Sequence, residues 1–335
     1  MSPLATAAER PAASPSWLAG QPRLTIGLLN NMPDAALCAT ERQFDDLLAE
    51  AAGDMGIELR LFALPRVRRS PEALALMAGR YERAAGMAGD GLDGLIVTGL
   101  EPRAADLRDE PYWPALARVI DWTQDRELPT VWSCLAAHAA VLRRSGVYRR
   151  PLPAKLSGVF ASVTIGNDPL VAGAAAPILT PHSRLNGLAE ADLVGGGYAI
   201  LTRSPAAGVD AFVQRECGLA LFLQGHPEYD ADTLAREYLR DAGRFLAGRR
   251  PDHPRPPTGY FDAATEAALG ALAAASQAAP DAARLPLYAA ALERAAPRQT
   301  WRAWAVRLYR NWLAEVAERA QQARRSSRSL VGPAA

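Results

Sequence analysis

Between residues 24 and 144, short apolar runs alternate with segments of helical spacing, and few folds accept that rhythm. LTIGLL (24–29) is a continuous apolar run that ends in Asn30-Asn31-Met32-Pro33, which reads as a buried strand entering a turn. Residues 40–52 place Phe44, Leu47, Leu48 and Ala51 on one helical face. IELRLFAL (57–64) alternates as a strand, and residues 71–85 predict a helix. DGLIVT (93–98) is another buried strand, stopped by Gly99. A helix over 113–124, a strand over 129–133 (PTVWS) and a helix over 135–144 follow. This alternation predicts βαβ units, and therefore an α/β fold whose parallel sheet is covered on both faces.

Beyond residue 150 the texture changes. Strands are expected over 157–165, 198–203, 210–214 and 219–224, with few helices between them, and then a helix over 231–247. RRPDHPRPPTGY (249–260) is rich in Pro and Arg and reads as a linker or surface loop. The Ala-rich stretch 263–296 reads as helical, as does 301–323, with Trp301, Trp304, Leu308 and Trp312 near one face. Residues 1–22, rich in Ala, Pro and Ser, predict a flexible N-terminal arm. Residues 324–335 predict a disordered basic tail.

Composition removes several function classes. Lys and Arg number 37 against 36 for Asp and Glu, which lacks the basic excess of a general nucleic-acid binder. No apolar run reaches transmembrane length, and the first twenty residues lack the basic and apolar regions of a secretory signal, so no membrane partner is expected. The cysteines are three: Cys38, Cys134 and Cys217. An odd, sparse set argues against a disulfide scaffold and fits a reducing cytoplasm. With four histidines and no CxxC or HxxxH spacing, no metal site is expected.

The chemistry concentrates at two strand ends. At Ser133-Cys134-Leu135-Ala136-Ala137 an apolar strand stops at a cysteine and a helix begins at once, the arrangement of a nucleophile elbow. Such a thiol sits at the carboxyl end of a parallel sheet, where open α/β folds bind ligands. The helix N-terminus favours its thiolate and offers backbone N–H groups to an oxyanion. On its own, the same cysteine reads equally well as a buried structural residue. At Gln224-Gly225-His226-Pro227-Glu228 a second apolar strand ends beside a histidine, with a carboxylate two residues on that can orient the imidazole. Alone, that loop reads as solvated surface. Together, Cys134, His226 and Glu228 supply a nucleophile, a base and an orienting group. His138, one turn after Cys134, reads as a packed residue, because its helix runs away from the strand ends. His182 reads as part of a substrate pocket, and Cys38 and Cys217 as structural or incidental.

The order strand-Cys-helix followed by a distant GHPE resembles the flavodoxin-like core of class I glutamine amidotransferases. NNMPDAALCATERQF, DGLIVTG, DEPYWPAL, KLSGVF, PHSR and GHPEYDADTLAREYLRD narrow this to a resemblance to the homoserine O-succinyltransferase family, over about residues 23–315. The resemblance implies roles for individual positions. Cys134 matches the acyl-thioester nucleophile, His226 the proton acceptor and Glu228 the third catalytic residue. Lys155, Ser183 and Arg240 match substrate-binding positions, and Arg240 can clamp a carboxylate through two parallel bonds. Outside the resemblance, Lys155 and Arg240 would read as ordinary surface charge. Backbone N–H groups of Leu135 and Leu100 are expected to form the oxyanion hole.

Two positions depart from the family pattern. Asp34-Ala35 stands where a lysine pair is usual, which predicts less positive charge at the entrance of the site. Arg103 occupies the position that influences acyl-donor choice, usually Gly in succinyl users and Glu in acetyl users. An arginine there can pair with the free carboxylate of a succinyl group, block the pocket or face solvent.

The resemblance therefore implies an enzyme with a catalytic α/β domain over 23–250 and a linker and helical C-terminal segment over 251–323. It implies acyl transfer from an acyl-CoA, expected to be succinyl-CoA, to the hydroxyl of L-homoserine at the start of methionine biosynthesis. Acyl-CoA would be a co-substrate, with no bound cofactor, and a cytoplasmic homodimer is expected. Two alternatives stay open: transfer to another amino acid such as serine, or from acetyl-CoA, and glutamine amidotransfer or hydrolysis on the same fold. No GxxxxGK[ST] motif is present, which weakens the last.

Overall fold

A computed structural model describes residues 23–89, 91–295 and 297–330. The predicted N-terminal arm lies outside the described residues.

The first half follows the alternation. β1 (Arg23–Leu29), α1 (Leu37–Ala52), β2 (Gly56–Ala63), α2 (Pro71–Met77), β3 (Tyr81–Arg83) and β4 (Gly94–Val97) come first. α3 (Trp113–Asp125), β5 (Thr130–Ser133) and α4 (Leu135–Ser145) complete it. The helix expected over 71–85 stops at Met77. Gly79, with φ +73°, turns the chain, and Tyr81–Arg83 add an edge strand beside β2. Two contacts hold that edge: Tyr81 donates to Glu41 Oε1 at 2.6 Å, and Arg60 Nε to Glu82 Oε1 at 2.9 Å.

The second half adds β6 (Arg150–Thr164), β7 (Ile178–Gly187), α5 (Glu190–Gly195), β8 (Ala199–Ile200), β9 (Thr202–Ser204), β10 (Gly208–Val209), β11 (Ala211–Gln214), β12 (Ala220–Leu223) and α6 (Thr233–Leu246). β6 begins before the expected strand at 157, and β7 was not foreseen from the pattern. Its two prolines, Pro177 beside it and Pro181 within it, break the alternation that marks a strand. The strand expected over 198–203 splits into β8 and β9, which belong to different sheets. α7 (Ala263–Ala278), α8 (Leu285–Ala295) and α9 (Arg302–Leu330) close the chain. The basic segment after Arg324, expected to be disordered, continues α9 to Leu330.

The main sheet has eight strands in the order β3-β2-β1-β4-β5-β12-β11-β8. Its parallel core, β2-β1-β4-β5-β12, has the flavodoxin-like order 2-1-3-4-5. β4, β5 and β12 are buried at every position, as strands covered on both faces must be. α3 and α4 cover one face, packing Leu116, Ile120, Ala137 and Val141 against Leu95, Val97 and Trp132. α1 and α9 cover the other, where Phe44 and Leu47 meet Leu308, Tyr309 and Trp312. α9 is therefore part of the core. The Trp312 ring sits so close to β4 that a side-chain carbon on Gly94 would lie 3.0 Å from it. A four-stranded antiparallel sheet, β10-β9-β6-β7, leans over the carboxyl end of the main sheet. α6, α7 and α8 form a third cluster around Leu234, Tyr238, Leu269 and Tyr288.

Candidate active site

Three neighbouring strands deliver the central residues. β4 ends at Gly99-Leu100, β5 at Cys134 and β12 at Gly225-His226, side by side at the carboxyl edge of the sheet. Cys134 has φ +50° and ψ −109°, a conformation that side chains rarely adopt, between β5 and the first turn of α4. Its N–H donates to Leu223 O at 2.7 Å, which locks the elbow to β12. The strain of such a turn exposes a nucleophile above the sheet. Gly99 makes room for it: a side-chain carbon there would lie 2.5 Å from Leu135 Cβ and 3.0 Å from Ala136 N. Leu135 opens α4, so its N–H has no carbonyl one turn back, and the residue lines the same cavity as Leu100.

His226 is buried, with its N–H on Pro181 O at 2.8 Å and its ring stacked on Tyr229 at 4.2 Å between centroids. Its Nδ1 lies 2.9 Å from Glu228 Oε1, which also accepts from Ser133 Oγ at 3.3 Å. Burial pulls the imidazole pKa down, but the charges of Cys134 and Glu228 outweigh it and hold His226 well above its ordinary value. Arg184, mostly buried, adds positive charge near Cys134.

Cys134, His226 and Glu228 share a cavity of about 310 Å³ with Lys155, Ser183 and Arg240. Lys155 comes from β6, Ser183 from β7 and Arg240 from α6. Lys155 Nζ lies 2.9 Å from Asp241 Oδ2, and Arg240 Nε donates to Asp241 Oδ1 at 3.0 Å. Burial raises the Asp241 pKa, but Lys155 and Arg240 more than offset it and keep the carboxylate below its ordinary range. Glu237 accepts from Ser183 Oγ and, at 2.9 Å, from Tyr229 Oη. Two cations and the Glu237 carboxylate thus line the cavity that holds the thiol, and Asp241 pairs with both cations.

The sequence matches the profile described as homoserine O-succinyltransferase over residues 19–322. The chain belongs to the homoserine O-succinyltransferase family. It is 49% identical over 302 residues to a homoserine O-succinyltransferase of Methylorubrum extorquens, covering 89% of each chain. It is 48% identical over 307 residues to one of Rhodopseudomonas palustris, covering 91% of each. Among solved structures, a glutamine amidotransferase from Thermotoga maritima shares the fold, with TM-score 0.50 at 12% identity over 88% of this chain and 98% of that one.

As a member of this acyltransferase family the chain is an enzyme, and its own geometry refines the expected site. His138 is buried with Nε2 3.2 Å from Gln224 Oε1, and burial pushes its pKa down to about 3. His182, expected in the pocket, instead lies fully buried beneath it, edge-on to Phe160 and 3.4 Å from Asp210 Oδ1. Arg103 is exposed and lines an outer cleft of about 780 Å³, not the cavity around Cys134. Asp34 accepts from Arg69 Nη1 at 3.1 Å and from Ser70 N at 2.8 Å. Positive charge at the entrance is nonetheless present, because Arg66 and Arg68 of the loop after β2 line the cleft. Sequence reasoning passed over Glu237, Asp241, Arg149 and Arg184. Glu237 and Asp241 had a signal: they lie three residues before and one after Arg240 in EYLRD, on the same part of one helix.

No helix among the described residues is long and apolar enough to cross a membrane.

Proposed function

We propose that the chain transfers a succinyl group from succinyl-CoA to the hydroxyl of L-homoserine through a thioester on Cys134, the first committed step toward methionine. The observation that carries this reading is one cavity holding a strained cysteine, its His-Glu pair and charges matched to an amino-acid zwitterion. Family membership supplies the acyl donor and acceptor named for its relatives.

The steps follow from the placement. The Cys134 proton passes to His226, and the sulfur attacks the thioester carbonyl. The oxyanion forms against the N–H groups of Leu135 and Leu100. The bond to coenzyme A sulfur breaks, and that sulfur leaves with the proton from His226. His226, neutral again, takes the proton of the homoserine hydroxyl as its oxygen attacks the acyl carbon. The bond to Cys134 breaks, and the proton on His226 returns to the sulfur, which restores the starting state. Glu228 keeps Nδ1 engaged throughout. Arg240 and Lys155 suit the homoserine carboxylate, and Glu237 its ammonium. The steps call on no metal and no bound cofactor.

The outer cleft suits the coenzyme. It opens onto the cavity through shared residues including Leu100, Glu101 and Arg240. Arg66, Arg68 and Arg103 line it, and none of the three enters an ion pair among the described residues, which leaves them for phosphates. A reduced cytoplasm would keep the thiol active, and the homodimer expected from the resemblance is checked by light scattering.

The deciding experiment mixes the protein with homoserine, serine or glutamine and with succinyl- or acetyl-CoA, following free thiol and ammonia. Homoserine-dependent thiol release, fastest with succinyl-CoA, is expected. Ammonia from glutamine without acyl-CoA consumption would overturn the reading.

A further inference from the structure

We propose that Arg149 recognises the free carboxylate of the succinyl group, in place of Arg103. The inference rests on the acyl-transfer reading above and adds the residue that selects the donor.

Four cations line the cavity around Cys134: Arg149, Lys155, Arg184 and Arg240. Lys155 and Arg240 are both held by Asp241. Arg184 has its nitrogens engaged: Nε with His182 Nδ1 at 3.4 Å, Nη1 with Asn186 O at 2.8 Å and Nη2 with Ala207 O at 2.5 Å. Three of its five N–H groups are thus taken by protein acceptors, which pins this buried guanidinium in place.

Arg149 differs. Its one hydrogen bond among the described residues runs from Nη2 to Ala105 O at 3.2 Å, and Nη1 is shielded from solvent with no partner. It enters no ion pair among the described residues. The two carboxylates that face it are committed elsewhere: Asp106 to Arg108 at 2.6 Å, and Glu110 to the amides of Arg103 and Ala104. It lines the same cavity as Cys134 and His138. A shielded guanidinium N–H without an acceptor is costly unless something fills the role. The distal carboxylate of a four-carbon diacid esterified to Cys134 offers a planar acceptor pair of the right kind. An acetyl group has nothing to offer it. Arg103 lies in the outer cleft, and its backbone N–H, not its guanidinium, meets Glu110.

The test begins with the unaltered enzyme. Succinyl-CoA is compared with succinamoyl-CoA, in which a neutral amide replaces the carboxylate, by thiol release in the presence of homoserine. A charge-assisted bond of this type predicts a preference of roughly ten- to a hundred-fold in kcat/KM. Arg149→Gln should erase that preference and Arg149→Lys should keep most of it. Arg103→Gln should lower both rates together and leave their ratio intact. Equal use of the two donors by the unaltered enzyme overturns the proposal and needs no variant to do so. Retention of the preference in Arg149→Gln, or its loss in Arg103→Gln, overturns it as well. If no thiol is released from any acyl-CoA, the acyl-transfer reading itself has failed and this inference falls with it. If thiol is released without donor preference, only the role of Arg149 fails.

Discussion

Glu228 Oε1 lies 2.9 Å from His226 Nδ1 and accepts from Ser133 Oγ at 3.3 Å, so one buried oxygen ties the loop after β12 to the residue before Cys134. That link sets the imidazole plane, since Nδ1 is committed and the ring is also clamped by stacking on Tyr229. The remaining ring nitrogen is the one available to the thiol and the substrate hydroxyl.

Cys134 carries both the proposed chemistry and the strain of the elbow. Cys134→Ala should abolish transfer and leave the fold intact. Cys134→Gly should also be inactive, yet more stable than Cys134→Ala by about 1 kcal/mol, because glycine accepts φ +50° without penalty. Differential scanning calorimetry of the two variants checks the ordering. An added acyl mass on the peptide carrying Cys134 in the parent enzyme checks the chemistry.

The pH profile should separate the half-reactions. Cys134 and Glu228 together hold the His226 pKa well above its usual value against the effect of burial. His226 therefore holds firmly the proton it takes from Cys134, and acylation should continue on the alkaline side of about 6.5 until the imidazolium no longer forms. Acylation removes the Cys134 charge. His226 should then release its proton at lower pH, the state required to accept one from homoserine. Glu228→Gln removes one raising partner and should move the alkaline limb of acylation downward. An unmoved limb in single-turnover thiol release would assign the titration to another group.

Stability should fall on mild acidification. Burial pushes His138 down to about 3 and His182 well below its usual value, so the folded protein keeps both neutral. Below about 6.5 the unfolded chain takes up protons that the folded chain cannot. The stabilisation is therefore full above that pH and declines as the pH drops toward the folded values. The limiting slope is about 1.4 kcal/mol per pH unit for each histidine. Denaturant melts at a series of pH values should show the decline, and His138→Gln should make it shallower. A stability that stays flat from pH 6.5 to 5 would falsify this account.

The parallel core was legible because burial on both faces leaves continuous apolar runs, as in LTIGLL and DGLIVT, that periodicity alone detects. Cys134 alone read equally well as a structural residue, and the elbow became legible only beside His226 and Glu228 at a second strand end. β3 and β7 were not, since an edge strand of three residues and a strand interrupted by proline carry almost no pattern. Arg149 could not be singled out by type among 36 arginines. What distinguishes it among the cations lining the cavity is an unmet donor, which depends on where Ala105, Asp106 and Glu110 fall in space. His182 shows the converse. A residue beside Ser183 was expected to share its pocket, but β7 alternates, so Ser183 faces the cavity and His182 the core beneath it.

Gly99 offers a test of the elbow that touches no reacting atom. It ends β4 beside Leu135, and an added methyl would meet Leu135 Cβ at 2.5 Å and Ala136 N at 3.0 Å. Backbone cannot yield as a flexible side chain can, so Gly99→Ala should push the start of α4 away from β4. The N–H groups of Leu100 and Leu135 would then no longer converge on one oxygen. Displacement on the order of 1 Å at such a site is enough to cost roughly a hundred-fold in rate. kcat should therefore fall by about that factor, while KM for homoserine, which the proposed binding by Lys155, Glu237 and Arg240 places on other elements, changes little. Circular dichroism should show the sheet retained, because the clash lies at a strand end and not within the ladder. A near-normal kcat in Gly99→Ala would mean that the Leu100–Leu135 pair does not hold the oxyanion. A matching rise in KM would mean that the disturbance spreads through the whole cavity.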